Sequence, residues 1–145
     1  MQKAVSTRTM KRASPSSFPL TSDPPRLRIL VVDDDETTLM LVGRLLGREG
    51  YAVLTSSSAA TALALLRAEP FDVLLTDLVM PLMSGLELAA AARQLRTALR
   101  IVIMSGQART DDAAEDIVWL DKPLDIDQLL ALMATAPDSA NKPAA

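Results

Sequence analysis

The chain has 145 residues, of which 49% are hydrophobic and 23% are charged, with a formal net charge of −3. This composition is typical of a single soluble globular domain and excludes a chain that is disordered throughout. The chain contains neither cysteine nor histidine, which excludes disulfides, thiolate and imidazole catalysis, and Cys- or His-based zinc sites. A metal site would need oxygen ligands, which favour Mg²⁺, Mn²⁺ or Ca²⁺. The negative charge argues against nucleic acid as the principal ligand.

The two ends of the chain lack any periodic apolar pattern. Residues 1–27 are rich in Ser, Thr, Pro and basic residues, and residues 136–145 are polar and rich in Ala and Pro. We predict a disordered tail at each end, around one domain spanning residues 28–135. No apolar run approaches the ~20 residues that a membrane span needs, and no secretory signal is evident, so we expect a cytoplasmic protein without membrane contact.

Within residues 28–135, apolar runs typical of buried parallel strands alternate with amphipathic stripes typical of helices. The predicted strands are residues 28–32, 52–55, 73–76, 101–104 and 117–120. The predicted helices have inward stripes within residues 39–46, 59–66, 86–95 and 126–133. Gly50 is a predicted helix stop, and Ser58 and Asp125 are predicted N-caps. The alternation predicts an α/β fold, a doubly wound sheet of five parallel strands with helices on both faces.

Polar residues follow four of these strands. The first strand ends at Asp33 and Asp34, the third at Asp77, the fourth at Ser105 and the fifth is followed by Lys122. Because parallel strands end at the same edge of a sheet, these side chains should converge. Clustered carboxylates repel one another, and a divalent cation and an ammonium group relieve that repulsion. The edge is therefore suited to phosphoryl chemistry, with a carboxylate as a possible nucleophile.

Four motifs, VVDDDE, LLTDLVMPLMSG, IVIMSG and WLDKPL, occur in this order at the strand ends. Together they resemble the receiver domain of two-component response regulators over nearly all of residues 28–135. The resemblance implies a flavodoxin-like strand order of 2-1-3-4-5 and a bacterial signalling protein. It also implies Mg²⁺ as cofactor, and a histidine kinase or phosphotransfer protein as phosphodonor. It implies a phosphoacceptor that assists its own phosphorylation and dephosphorylation, rather than an enzyme.

The resemblance also implies roles for individual residues. Asp77 would be the phosphoacceptor and a metal ligand. Asp34 would ligate Mg²⁺ directly, Asp33 through water and Val79 through its backbone carbonyl. Lys122 would pair with Asp77 or with its phosphoryl group.

The resemblance extends to a conformational switch. Ser105 occupies the position of the switch hydroxyl and Trp119 that of the switch aromatic, which turn inward together in family members when the phosphoryl group is present. Ser105 could instead be a turn residue, and Trp119 could be an ordinary core aromatic. The bond between Lys122 and Pro123 is expected to be cis.

The sequence departs from the family pattern in two places. Only residues 107–116 are available for the helix between the fourth and fifth strands, so we predict that this fourth helix is short, frayed or missing and that the usual dimer is in doubt. Val79 and Gln107, two residues beyond Asp77 and Ser105, are not carboxylates that could orient an attacking water. Slow self-dephosphorylation is therefore expected.

The favoured function is that of a stand-alone receiver, which either switches a protein-interaction surface for an unknown downstream target or relays phosphate. One alternative is a pseudo-receiver that only binds partners. Another is a haloacid-dehalogenase-like phosphatase, since Asp33 and Asp35 resemble that family's D-x-D pair. The glycine expected after the second acid is replaced by Glu36, which weakens this alternative.

Overall fold

The computed structural model describes residues 27–107 and 116–135, in which strands and helices alternate. The elements are β1 (Arg28–Val32), α1 (Glu36–Arg48), β2 (Ala52–Ser56), α2 (Ala59–Ala68), β3 (Val73–Asp77), α3 (Gly85–Leu95), β4 (Arg100–Ser105), β5 (Val118–Asp121) and α4 (Ile126–Thr135). All paired strands are parallel, and the order β2-β1-β3-β4-β5 confirms the predicted topology.

Three predictions fall on residues outside the described ranges. The two predicted tails lie there except for Leu27, which is buried and whose carbonyl accepts a hydrogen bond from the Ala52 N–H. Residues 108–115, which make up most of the predicted short or missing helix, also lie outside them. Among the described residues, none of the helices is long and apolar enough to cross a membrane.

The sheet separates two apolar layers because alternate side chains of each strand point to opposite faces. In β1, Leu30 and Val32 pack with α2 and α3, whereas Ile29 and Val31 pack with α1 and α4. Every residue of β3 (Val73–Asp77) is buried, as expected for a central strand covered on both faces. The buried central strand therefore holds its last residue, Asp77, in a fixed position at the carboxyl-terminal edge of the sheet.

Helix ends are fixed by side-chain caps, two of which the sequence predicts correctly. The Ser58 hydroxyl accepts a hydrogen bond from the Thr61 N–H at 3.1 Å, and the Asp125 carboxylate accepts one from the Gln128 N–H at 3.2 Å. Gly50, the predicted stop after α1, has a φ of 95°, a conformation that glycine adopts without strain.

The inward stripe of α3 is shorter than predicted. Leu88, Ala89 and Ala92 are buried, but Leu86 is only partly buried and Leu95 is 37% exposed. Leu95 is the last residue of the helix, where the chain leaves the sheet face. The expectation that Leu95 belongs to the core is therefore wrong.

Candidate functional site

Three carboxylates meet at the carboxyl ends of β1 and β3. One oxygen from each of Asp33, Asp34 and Asp77 lies within 4.8 Å of the others. Asp33 is fully buried, Asp77 is 8% exposed, and Asp34 is exposed. The adjacent strands β1 and β3 are hydrogen-bonded in register up to Val32 and Thr76, which places the acids that follow them side by side. The convergence predicted from strand ends is thus observed for these three residues.

Lys122 adds a positive charge from the loop after β5. Its Nζ lies 3.0 Å from Oδ2 of Asp33 and 3.2 Å from Oδ1 of Asp77, so the ammonium bridges the two least exposed carboxylates. The Lys122 N–H donates to the carbonyl of Ser105, which fixes this loop to the end of β4. The bond to Pro123 is cis, as the resemblance implied.

The pKa values reflect this crowding. Burial raises the pKa of Asp77, and the Asp33 carboxylate raises it further, while the hydrogen bond from Lys122 opposes the shift without cancelling it. Burial acts to lower the pKa of Lys122, but its bonds to Asp33 and Asp77 outweigh that effect and leave it raised. Asp77 is therefore a carboxyl with a raised pKa, and it contacts Lys122, which stays charged at neutral pH.

The loop between Asp77 and α3 folds back tightly on the strand. The Gly85 N–H donates to the Leu78 carbonyl at 2.7 Å, and a Cβ built on Gly85 would lie 2.2 Å from the Asp77 carbonyl oxygen. Only a residue without a side chain fits there. Ser84 and Glu87 then start α3 with a reciprocal capping box.

Ser105 lies at the same edge, but its hydroxyl serves a local turn. The Oγ donates to the Gln107 carbonyl at 3.1 Å and accepts from the Gln107 N–H at 2.8 Å. In this conformation the side chain acts as the turn residue that the sequence left open as an alternative. In this conformation the hydroxyl hydrogen is engaged by the Gln107 carbonyl.

Trp119 is 8% exposed and belongs to the apolar layer beneath α2 and α3. It pairs in register with Ile103 of β4. The conformation described here therefore places the indole in the core.

The donor set at the three acids fits a hard divalent cation. Each acid offers an oxygen to a common position, and three carboxylates against one ammonium leave negative charge uncompensated. Such an ion, held by these residues, would supply charge neutralisation for the oxygens of a transferred phosphoryl group.

Asp35 does not belong to this cluster. It is the N-cap of α1, where hydrogen bonds from the Thr38 hydroxyl and the Thr37 N–H lower the pKa of its carboxyl. Both carboxylate oxygens of Asp35 accept hydrogen bonds at the start of α1. This role as a cap does not fit the proton donation that the second acid performs in the phosphatase alternative.

A family model described as the response regulator receiver domain matches residues 29–134. The chain belongs to the receiver domain family. A relative from Brucella abortus (strain 2308), the response regulator receiver protein CpdR, is 36% identical over 108 residues, which cover 71% of this chain and 90% of that protein. Other relatives are longer, and this receiver spans only 25% and 24% of two of them.

Solved structures agree with this assignment. The chemotaxis protein CheY4 of Vibrio cholerae matches with a TM-score of 0.71 and 27% identity, covering 77% of this chain and 99% of that one. A response regulator from Burkholderia pseudomallei, solved with a phosphorylated aspartic acid and a calcium ion, matches with a TM-score of 0.66 and 33% identity. That match covers 75% of this receiver and 67% of the Burkholderia chain.

Two structural contributions to the receiver's site were missed from the sequence. One is the pairing of Lys122 with the buried Asp33, for which strand-end position alone gives no signal. The other is the capping box of Ser84 and Glu87, whose S-x-x-E spacing is a readable signal in the sequence.

Proposed function

We propose that this receiver accepts a phosphoryl group on Asp77 from the phosphohistidine of a histidine kinase or phosphotransfer protein. Mg²⁺ would be held by Asp34, Asp77 and the Val79 carbonyl, and by Asp33 through water. The observation that carries the proposal is the carboxylate cluster with the Lys122 ammonium 3.2 Å from Asp77. The phosphorylated aspartic acid in the Burkholderia relative supports the same chemistry for this chain.

In the proposed reaction a carboxylate oxygen of Asp77 forms a bond to phosphorus while the P–N bond of the donor breaks. The electron pair of that bond goes to the ring nitrogen, and the imidazole leaves in its neutral form with the proton already on its other nitrogen. Lys122 is placed to stabilise charge on the transferred oxygens, since its ammonium already contacts Asp77. Asp77 must be ionised to attack, so the rate is expected to fall as the pH is lowered into the acidic range.

The product is an acyl phosphate that the receiver holds rather than a released product, so the chain acts as a phosphoacceptor. We propose that the Ser105 hydroxyl then donates its hydrogen bond to a phosphoryl oxygen instead of to the Gln107 carbonyl. Trp119 and the turn at Gln107 would change conformation with it. The resulting change either alters the surface seen by a target protein or allows the phosphoryl group to be relayed. As a bacterial receiver, the protein would work in the cytoplasm, where its donors present their phosphohistidines.

Intact-mass spectrometry after incubation with acetyl phosphate and Mg²⁺ tests the proposal. The wild type is expected to gain the mass of one phosphoryl group, and Asp77→Asn is expected to gain none. Chelation of Mg²⁺ should also abolish the gain. A folded wild-type protein that binds Mg²⁺ but gains no mass would contradict the proposal and favour a pseudo-receiver.

Self-dephosphorylation is expected to be slow. Val79 is half exposed and Gln107 is exposed, and neither carries a carboxylate beside Asp77 to activate water. After removal of acetyl phosphate, the mass adduct should persist for many minutes, and a Val79→Glu variant should lose it faster. A wild-type half-life of seconds would contradict this expectation.

Asp77→Asn is expected to raise the free energy of unfolding at neutral pH without divalent ions, because the fold disfavours the ionised form of this carboxyl. Because the pKa of Asp77 is higher in the folded chain than its ordinary value of 3.8, this group stabilises the fold fully only below that pH. That contribution is lost as the pH rises through the raised pKa. Urea unfolding from acidic to neutral pH should show the two proteins converging below pH 3.8 and separating above it. A variant less stable than the wild type at neutral pH would contradict the expectation.

A further inference from the structure

Two apolar side chains stand exposed in the loop between β3 and α3. Val79 is 56% exposed and Leu82 is fully exposed. Leu82 also has a φ of 71°, in the left-handed region that costs a residue with a Cβ roughly 1 kcal/mol. An exposed leucine gains nothing from burial, and this one is also strained. Folding therefore gives no reason for leucine at this position.

The position of these side chains relative to Asp77 indicates a functional role for them. They follow the proposed phosphoacceptor by two and five residues, at the edge of the sheet where its carboxylate meets those of Asp33 and Asp34. A protein that delivers a phosphoryl group to a residue only 8% exposed has to lay its own surface over this rim. A small donor such as acetyl phosphate does not.

Charge at the same edge indicates what kind of surface fits. Asp34, Asp35 and Glu36 are exposed at the start of α1, and Asp121 and Asp125 are exposed on either side of Lys122. Lys122 itself is mostly covered and already pairs with two carboxylates. Among the residues that the structure describes, the rim is apolar at Val79 and Leu82 and carries these exposed acids, which favours a partner with the opposite charge.

We propose that Val79 and Leu82 form the apolar docking contact for a phosphohistidine-bearing donor protein whose surface is apolar opposite Leu82 and basic around it. The inference rests on the proposed function and names the partner chemistry of that same site. Leu82 is the specificity-determining residue because its side chain is fully exposed, whereas that of Val79 is only half exposed. It contributes to protein docking and has no part in the chemical step.

The test compares two donors on two matched variants. Leu82→Asn removes the apolar group with a residue that tolerates positive φ, and Leu95→Asn removes an exposed leucine at the far end of α3. One donor is acetyl phosphate. The other is the phosphorylated histidine kinase or phosphotransfer protein from the source genome that transfers its phosphoryl group fastest to the wild type. Leu82→Asn is expected to slow transfer from the protein donor about tenfold or more, as loss of a docking anchor does, and to leave acetyl phosphate labelling unchanged. Leu95→Asn is expected to leave both unchanged.

Ionic strength provides an independent readout. Added salt should slow transfer from the protein donor to the wild type, because it screens the acidic rim from a basic surface. Added salt should not slow labelling by acetyl phosphate, which is itself an anion. The docking proposal is overturned if Leu82→Asn affects both donors equally, if it matches Leu95→Asn, or if salt leaves the protein donor unaffected. It is also overturned if no protein donor labels a wild type that acetyl phosphate labels, whereas failure of acetyl phosphate itself overturns the proposed function and this inference together.

Discussion

A Gly85→Ala substitution is expected to lower the free energy of unfolding by about 3 kcal/mol and to abolish labelling of Asp77. The added Cβ would lie 2.2 Å from the Asp77 carbonyl oxygen and 3.0 Å from both the Asp77 carbonyl carbon and the Leu78 Cα. All three neighbours are backbone atoms at the end of the central strand, so none can move without displacing Asp77. Urea unfolding and acetyl phosphate labelling measure the two effects.

Gly47→Ala is the matched control for this prediction. Gly47 lies within α1, and a Cβ built on it meets nothing within 4 Å. Alanine there should stabilise the helix by up to about 1 kcal/mol and leave labelling intact. Equal stability of the two variants would show that the close approach at Gly85 does not constrain the site.

Lys122→Met is expected to lower the free energy of unfolding by about 2 kcal/mol in the absence of divalent ions, less than for a fully buried pair because Lys122 is partly exposed. Without the ammonium, the fully buried Asp33 carboxylate loses its ion pair and Asp77 loses its attractive neighbour. Mg²⁺ should restore part of the lost stability, because a cation among the acids replaces the missing positive charge. Labelling from acetyl phosphate should become much slower.

The pH dependence of this effect has a defined direction. Because the pKa of Lys122 is raised above its ordinary 10.5, its contribution to stability is complete below that pH and is lost as the pH rises through the raised value. The difference between wild type and Lys122→Met should therefore shrink at strongly alkaline pH. Arg44→Met, at an exposed position on α1, is the control and should change stability by less than about 0.5 kcal/mol. If Arg44→Met lowered the free energy of unfolding as much as Lys122→Met, the stabilising role of the Lys122 ion pairs would be contradicted.

The fold was predictable because its signals are local and repeated. Apolar runs such as Arg28–Val32 and Val73–Asp77 are continuous enough to require burial on both faces, and caps at Ser58 and Asp125 mark where helices begin. Once the strands are parallel, the geometry of the sheet brings Asp33 and Asp77 to one edge. The candidate acids could therefore be named before their distances were known.

What could not be predicted depends on choices among neighbours in three dimensions. Ser105 has a local partner in Gln107 and a proposed remote one in a phosphorylated Asp77, and the sequence does not rank them. Position alone does not say that Lys122 contacts Asp33 as well as Asp77. The strained backbone of Leu82 has no signal at all, because residues other than glycine and asparagine rarely mark a positive φ.

The measurement that tests the central claim most directly is identification of the residue that carries the phosphoryl group. Borohydride reduces an aspartyl phosphate to homoserine, and tandem mass spectrometry of the digested, acetyl phosphate-treated protein then locates that change in the sequence. We predict homoserine at position 77 and unmodified aspartate at positions 33 and 34. Homoserine at position 33, with Asp77 intact, would contradict the account and revive the phosphatase alternative.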